Sequence, residues 1–388
     1  MPETLSPEDS KVLLDLCRAG KLYDLEKWIV GGKSVRTPPQ IKKTPLQVAM
    51  EMGFHSMVEL LIRNEEQVEV KNKALADAVE RKRLDLVELL VSYGAEIRSV
   101  SLSDVLLTWE PRIIEFFLNH GADVVTGSPF AVAFREKVRT ALRPYVEYKK
   151  MYPQLVSTLQ EQADRALRHF CYEGDLKWVS LLLWAGANPR SRGPDMDDRW
   201  VDDPECHTTA LREACSKGNL GVLKKLKPDP GSDNLSELLS SAALATSKEI
   251  TDYLISIGAK PNDKPNGGSS ALDRCISHLG FGSYDSFINR RLSTKYDVSG
   301  TLDCIRTLVE HGALWTPDDQ AELNSVRKAL YSCEPAVVVD LIRLLAHNKA
   351  CPEETLERLL DAPRMREHLS ALGMRLTVTS PKRLRSRQ

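Results

Sequence analysis

The stretch Thr44-Pro45-Leu46-Gln47-Val48-Ala49-Met50-Glu51-Met52-Gly53-Phe54-His55-Ser56-Met57-Val58-Glu59-Leu60-Leu61-Ile62 decides the fold. Thr44 is a favoured N-cap, and Pro45 stands at the first helical position, where its missing N–H costs nothing. Leu46, Ala49 and Met50 fall on one helical face, and Gly53 ends that short helix. Met57, Val58, Leu61 and Ile62 mark one face of a second, antiparallel helix. A pair this small cannot bury its own apolar stripe, so it must stack on copies of itself.

Copies are present. Leu13, Leu75, Leu102, Leu167, Leu211, Leu239 and Leu272 stand as equivalents of Leu46, at successive intervals of 33, 29, 27, 65, 44, 28 and 33 residues. The inter-helix turn falls seven residues after each leucine, at Gly20, Gly53, Lys82, Trp109, Gly174, Gly218 and Thr246. After Leu272 a further 21 residues displace it to Gly300. Twelve residues beyond the turn a Gly-Ala pair closes the unit at Gly94-Ala95, Gly121-Ala122, Gly186-Ala187, Gly258-Ala259 and Gly312-Ala313, with Gly32 a partial match. These units resemble the ankyrin repeat, whose helix-turn-helix reads T-P-L-H-x-A-A-x-x-G-H, then V-V-x-L-L-L, then G-A-D. The resemblance covers roughly residues 10–345. It implies an all-α solenoid of about eight or nine ankyrin-like repeats with a helical insertion and a C-terminal helical cap. Such arrays are binding scaffolds, so the resemblance says much about fold and little about the partner.

The 388 residues are 42% hydrophobic and 28% charged, an ordinary balance, and the net charge of −1 provides no global field towards nucleic acid or anionic membrane. No run of 18 apolar residues occurs and Met1–Ser10 is polar and acidic, so neither a membrane span nor a signal peptide is expected, and the expected location is cytoplasmic. Of the eight cysteines, Cys17, Cys171 and Cys215 take the second small position of the Ala-Ala pair, Cys275 the first, and Cys304 a valine position of the second helix. These are buried small-residue slots, which a free thiol suits. Cys206-His207 with Cys215 lacks zinc-site spacing. Gly32-Lys33-Ser34 lacks the rest of a phosphate loop. The carboxylates of 195–205 lack the ligand order of a calcium loop. No catalytic constellation is visible, so the chain reads as a non-enzyme with no metal and no cofactor.

The organisation expected is N-terminal repeats over 1–126, a worn repeat or inserted helical pair over 127–165, further repeats over 166–345 with an insertion at 280–299, capping helices over 346–376 and a basic tail over 377–388. In the first unit Lys11, Asp15 and Lys21 form a polar outer face. Glu65 to Val70 reads as a joint in place of the usual G-A-D. Phe130 to Leu142 reads as a helix interrupted by Pro144, and Leu155 to Phe170 as another. The longest joint, 189–207, is too rich in Pro, Gly and Asp to be regular.

Function is expected to be protein binding. In ankyrin-like arrays the joint tips and the exposed side of the first helices form the concave surface. By register, this implies Arg36, Lys43 and Trp200 with Asp197 on joints, and Arg81, Tyr172 and Glu173 on first helices. Arg18, Glu51, Met52, Glu80, Ser216, Lys217, Ser277 and His278 share those helix positions. The insertion carries Tyr284, Phe287 and Arg290, residue types enriched at binding hot spots. The alternative is a structural subunit of a larger protein or nucleoprotein assembly, docking through that insertion. Protein partners are expected, with no direct nucleic-acid contact and no membrane.

Overall fold

The computed structural model describes residues 5–38, 40–194, 207–265, 268–280, 298–317, 323–324, 326–327, 330 and 335–360. The chain forms two compact units, Met1–Ala166 and Leu167–Gln388. In the first, α1 (Pro7–Arg18) pairs with α2 (Leu22–Val30), α3 (Pro45–Met52) with α4 (His55–Arg63), α5 (Val68–Glu80) with α6 (Leu84–Ser92), and α7 (Leu102–Leu107) with α8 (Pro111–Asn119). First helices stack on first helices, α1 to α3 to α5 to α7 to α9 (Pro129–Arg135), and second on second, α2 to α4 to α6 to α8. α10 (Leu142–Met151) follows, and the division between units falls within α11 (Val156–Glu173).

The second unit repeats the plan. The end of α11 meets α12 (Leu176–Trp184), where Phe170 stacks on Trp178 with centroids 5.2 Å apart. α13 (Ala210–Ser216) pairs with α14 (Leu220–Leu226), α15 (Leu235–Leu244) with α16 (Lys248–Ser256), and α17 (Ala271–Gly280) with α18 (Val298–Glu310). α19 (Pro335–His347) packs on α18 and α20 (Glu353–Leu360) on α19. Among the described residues there is no strand, and the only β pairing is an isolated bridge between Gly193 and Thr208.

The stretch 44–62 folds as its residues dictate. Thr44 Oγ1 accepts from Gln47 N while Gln47 Oε1 accepts from Thr44 N, a reciprocal cap ahead of α3. Val48, Ala49, Met50, Met57, Val58, Leu61 and Ile62 are buried. The register holds along the chain. All eight marker leucines are buried, none more than 5% exposed. The seven turn residues from Gly20 to Thr246 all take left-handed backbone, with φ between 54° and 77°. Each glycine of the closing pairs is also left-handed and each alanine buried.

Glycine at the turn has a second cause besides φ. The residue just after the next turn leans back onto it. A Cβ at Gly20 would lie 2.9 Å from the Phe54 ring, and one at Gly174 would lie 2.8 Å from Asn219 Oδ1. Asn219 needs that closeness, because its Nδ2 donates to Cys171 O at 3.1 Å.

Several expectations need correction. Gly300 is not a turn: α18 begins at Val298 and carries Gly300 in its first turn. The helix extends backwards through the glycine. The Phe130–Leu142 helix is broken, since α9 stops at Arg135 and Lys137 turns left-handed at φ 60°. Lys137 stands seven residues after the buried Phe130, so this segment has the helix, left-handed turn and helix of its neighbours. Pro144 interrupts nothing. It is the third residue of α10, where no intrahelical N–H is needed. The Glu65–Val70 joint is shorter than expected, because α5 starts at Val68. The outer face of α1 and α2 exposes Lys11, Asp15 and Lys21 but also Val12, Tyr23 and Val30. α19 runs across the 345/346 boundary.

Candidate functional site

Each first helix ends against its turn, and its last residues cannot point into the stack. The positions five and six after the marker leucine therefore face outward in most repeats, Thr108 being the buried exception. Arg18, Glu51, Met52, Glu80, Arg81 and Glu173 are exposed, and Tyr172, Ser216, Lys217, Ser277 and His278 are half-buried. Sequence reasoning passed over three members of this edge. Leu107 and Arg135 occupy the fifth position after Leu102 and Phe130, and both are exposed. Trp109, at a turn, is 42% exposed. The register that gave Glu51 and Glu80 would have given Leu107 too. Arg135 was hidden because Phe130 stands where leucine was sought.

The cationic candidates are braces between neighbouring repeats. Glu51 accepts from Lys43 Nζ at 2.8 and 2.9 Å and from Arg81 Nη2 at 3.2 Å. The hydrogen bond from Lys43 and, after it, the charges of Lys43 and Arg81 hold the Glu51 carboxyl below the usual glutamate range, against a smaller opposing effect of burial. Arg36 reaches Glu65 at 3.4 Å and Glu66 at 3.3 Å, at the edge of a cleft that Thr44, Leu46, Leu61 and Val70 also line. Lys217 Nζ sits 4.0 Å from the Tyr172 ring centre. These are exposed or half-exposed contacts, so each contributes little to stability and is open to exchange for a partner's groups. Asp197, Trp200, Tyr284, Phe287 and Arg290 lie outside the described residues. The base of the joint that holds Asp197 and Trp200 is fixed. Gly193 and Thr208 exchange backbone hydrogen bonds of 3.1 and 2.9 Å, and the buried Arg168 donates to Pro194 O at 2.9 Å and Ser191 O at 3.3 Å.

The thiols are placed where the register puts them. Cys17, Cys171, Cys215, Cys275 and Cys304 are free and fully buried, with Cys351 close behind. Burial pushes Cys17 up to about 11 and Cys304 and Cys351 to about 12, and raises the other three as well. They are inert fillers, the opposite of activated nucleophiles. Among the described residues no three His, Cys, Asp or Glu side chains gather as metal ligands would, and no helix is long and apolar enough to cross a membrane.

Comparison with known proteins finds similarity to ankyrin-repeat proteins. Residues 13–101 match the family model described as ankyrin repeats (3 copies). The "Ankyrin repeat and KH domain-containing protein mask-1" of Caenorhabditis elegans is 26% identical over 264 residues, covering 62% of this chain and 9% of that protein. The chain thus spans under a tenth of the length of this relative. Among solved structures, the human ASB11 ankyrin repeat domain matches 56% of this chain and 96% of its own, at 19% identity and a TM-score of 0.34.

Proposed function

We propose that this chain, which matches an ankyrin-repeat family model over residues 13–101, is a non-catalytic adaptor binding a protein partner along its first-helix edge and joints. The supporting observation is the outward row at the fifth and sixth positions. The position just before it, four after the leucine, is buried in every repeat, while this row presents Glu51, Arg81, Tyr172 and Glu173 in or near solvent. Its charged and aromatic content suits a mixed polar interface with a few anchors. Arg36 and Lys43 extend the surface onto the first long joint, and Asp197, Trp200, Tyr284, Phe287 and Arg290 belong to the proposed surface by sequence register alone. The division into repeats over 1–126, 127–165 and 166–345 with a cap beyond is part of this reading, as is an intracellular location.

The test is affinity purification of the full chain from native extract, with mass spectrometry. A stoichiometric protein that disappears when Arg81→Glu and Tyr172→Ala are combined, at unchanged melting temperature, supports the reading. A partner retained by that variant, or none at all, overturns it.

A further inference from the structure

We propose that the outer face of α12 and α14 is a second docking surface, one that takes an acidic segment of a protein. It lies on second helices and is independent of the first-helix surface proposed above.

The observation is a break in a pattern. Six residues past each turn, the second helix points a side chain outward. In the first unit these residues are Glu26, Glu59, Glu88 and Glu115, all exposed, and after the Lys137 turn Arg143, whose charge is met by Glu147 at 2.8 Å. In α16 the residue is Asp252. In α12 and α14, which pack side by side, it is Ser180 and Lys224. Neither helix contains any Asp or Glu: their sequences are LKWVSLLLW and LGVLKKL. The exposed residues are instead Lys177, Lys224, Lys225 and Lys227 just past the helix end, with Leu176 at 47% and Trp184 at 65% exposure. Ser180 donates its hydroxyl back to Leu176 O at 2.8 Å and adds no negative charge to the face.

Several cations elsewhere are neutralised within the fold. Arg36, Lys43, Arg81 and Arg190 each meet a carboxylate. Among the described residues none of these four lysines does, and Lys224 only approaches the Tyr253 ring, at 5.4 Å. The exposed tryptophan and leucine cost solubility, and the four lysines beside them meet no carboxylate. An apolar and cationic patch of this kind marks an interaction site.

The chemistry of the occupant follows from what bounds the patch. On the far side of α14, where Lys224 approaches Tyr253, α16 carries the exposed Glu249 and the half-buried Asp252, with Lys248 exposed beside them. The positive strip is therefore two helices wide, about 10 Å between axes, and about 13 Å long for a nine-residue helix. A bilayer or a nucleic-acid duplex would meet the carboxylates of α16 as well. All four cations are lysines, point charges without the planar fork that reads phosphate groups in two contacts. A narrow acidic peptide segment with an apolar side chain for Trp184 satisfies both limits.

The test uses the full chain and a fluorescein-labelled helical peptide of Glu, Ala and Leu, with leucines on one face, followed by anisotropy at low and high salt. The wild type should bind this peptide, more weakly as salt rises. Lys224→Glu with Lys225→Glu should weaken binding at least tenfold and create binding to the same peptide with Lys for Glu. Trp184→Ser should weaken the leucine peptide but not its all-alanine version. Lys177→Glu, at another exposed site, gives the same direction should the double variant misfold. Arg81→Glu with Tyr172→Ala should leave this binding intact, which separates it from the first-helix surface. No binding by wild type, indifference to the lysine variants, or tighter binding to phosphatidylserine vesicles or duplex DNA than to the peptide would overturn the proposal.

Discussion

Gly174 and Gly121 have nearly the same backbone, at φ 77° and 79°, but different surroundings. A Cβ at Gly121 meets nothing within 4 Å, whereas one at Gly174 lies 2.8 Å from Asn219 Oδ1. Gly121→Ala should therefore cost only the left-handed strain, about 1–2 kcal/mol. Gly174→Ala adds displacement of the Asn219 amide and its bond to Cys171 O, for a total of about 3 kcal/mol by urea unfolding. In an Asn219→Ala background the Gly174→Ala penalty should fall to that of Gly121→Ala, and an unchanged penalty would show that contact with Asn219 is not the cause. Glu51 gives the residue scale its pH dependence. Its carboxyl is held below the ordinary 4.5 by Lys43 first and Arg81 after it. A depressed folded pKa contributes stability that is present above the unfolded value and lost as pH falls through the folded one. The stability difference between wild type and Glu51→Gln should be small at neutral pH, vanish as acid protonates the carboxylate of the folded state, and shrink with salt; a difference that grows in acid would reverse the assignment.

At the scale of the element, the turns were legible and the helix ends less so. Seven turn positions read from leucine spacing alone all proved left-handed, even where the residue is Lys82, Trp109 or Thr246. Spacing succeeds here because each repeat must meet its neighbour in the same register. It failed at Gly300 and Pro144 because both residues are harmless in the first turn of a helix, where sequence rules read them as breaks. No sequence pattern could show how α9 is capped. Ser128 precedes it in a left-handed conformation and makes no side-chain cap. The cap comes from α11, where Gln162 Oε1 accepts from Phe130 N and Nε2 donates to Val124 O, both at 2.8 Å. Gln162→Leu should cost about 2–4 kcal/mol, since two buried backbone groups lose their partners. Thermal or urea unfolding measures this, and a loss under 1 kcal/mol would mean that water replaces the amide.

At the scale of the whole molecule, the candidate surfaces were half legible. The sequence register gave Arg81, Tyr172 and Glu173 their outward positions, but not the ion pairs through which Glu51 joins Lys43 and Arg81, since those depend on side chains crossing between repeats. The acid-free outer face of α12 and α14 is visible in the sequence only after the turns are fixed, because the residues that define it do not recur. Stacked repeats also set how the molecule should unfold. Each repeat contacts its neighbours, so a local loss of stability spreads over a few repeats and not automatically over the chain. The buried thiols report this. Cys17 lies in the first compact unit and Cys215 in the second, both fully buried. Both should resist a thiol reagent in native buffer and react in urea. Gly174→Ala strains the turn onto which Asn219 of the neighbouring repeat leans, four residues from Cys215 in sequence. It should lower the urea concentration at which Cys215 becomes labelled and leave that of Cys17 nearly unchanged. Equal shifts at both thiols would show that the repeats unfold as one cooperative body.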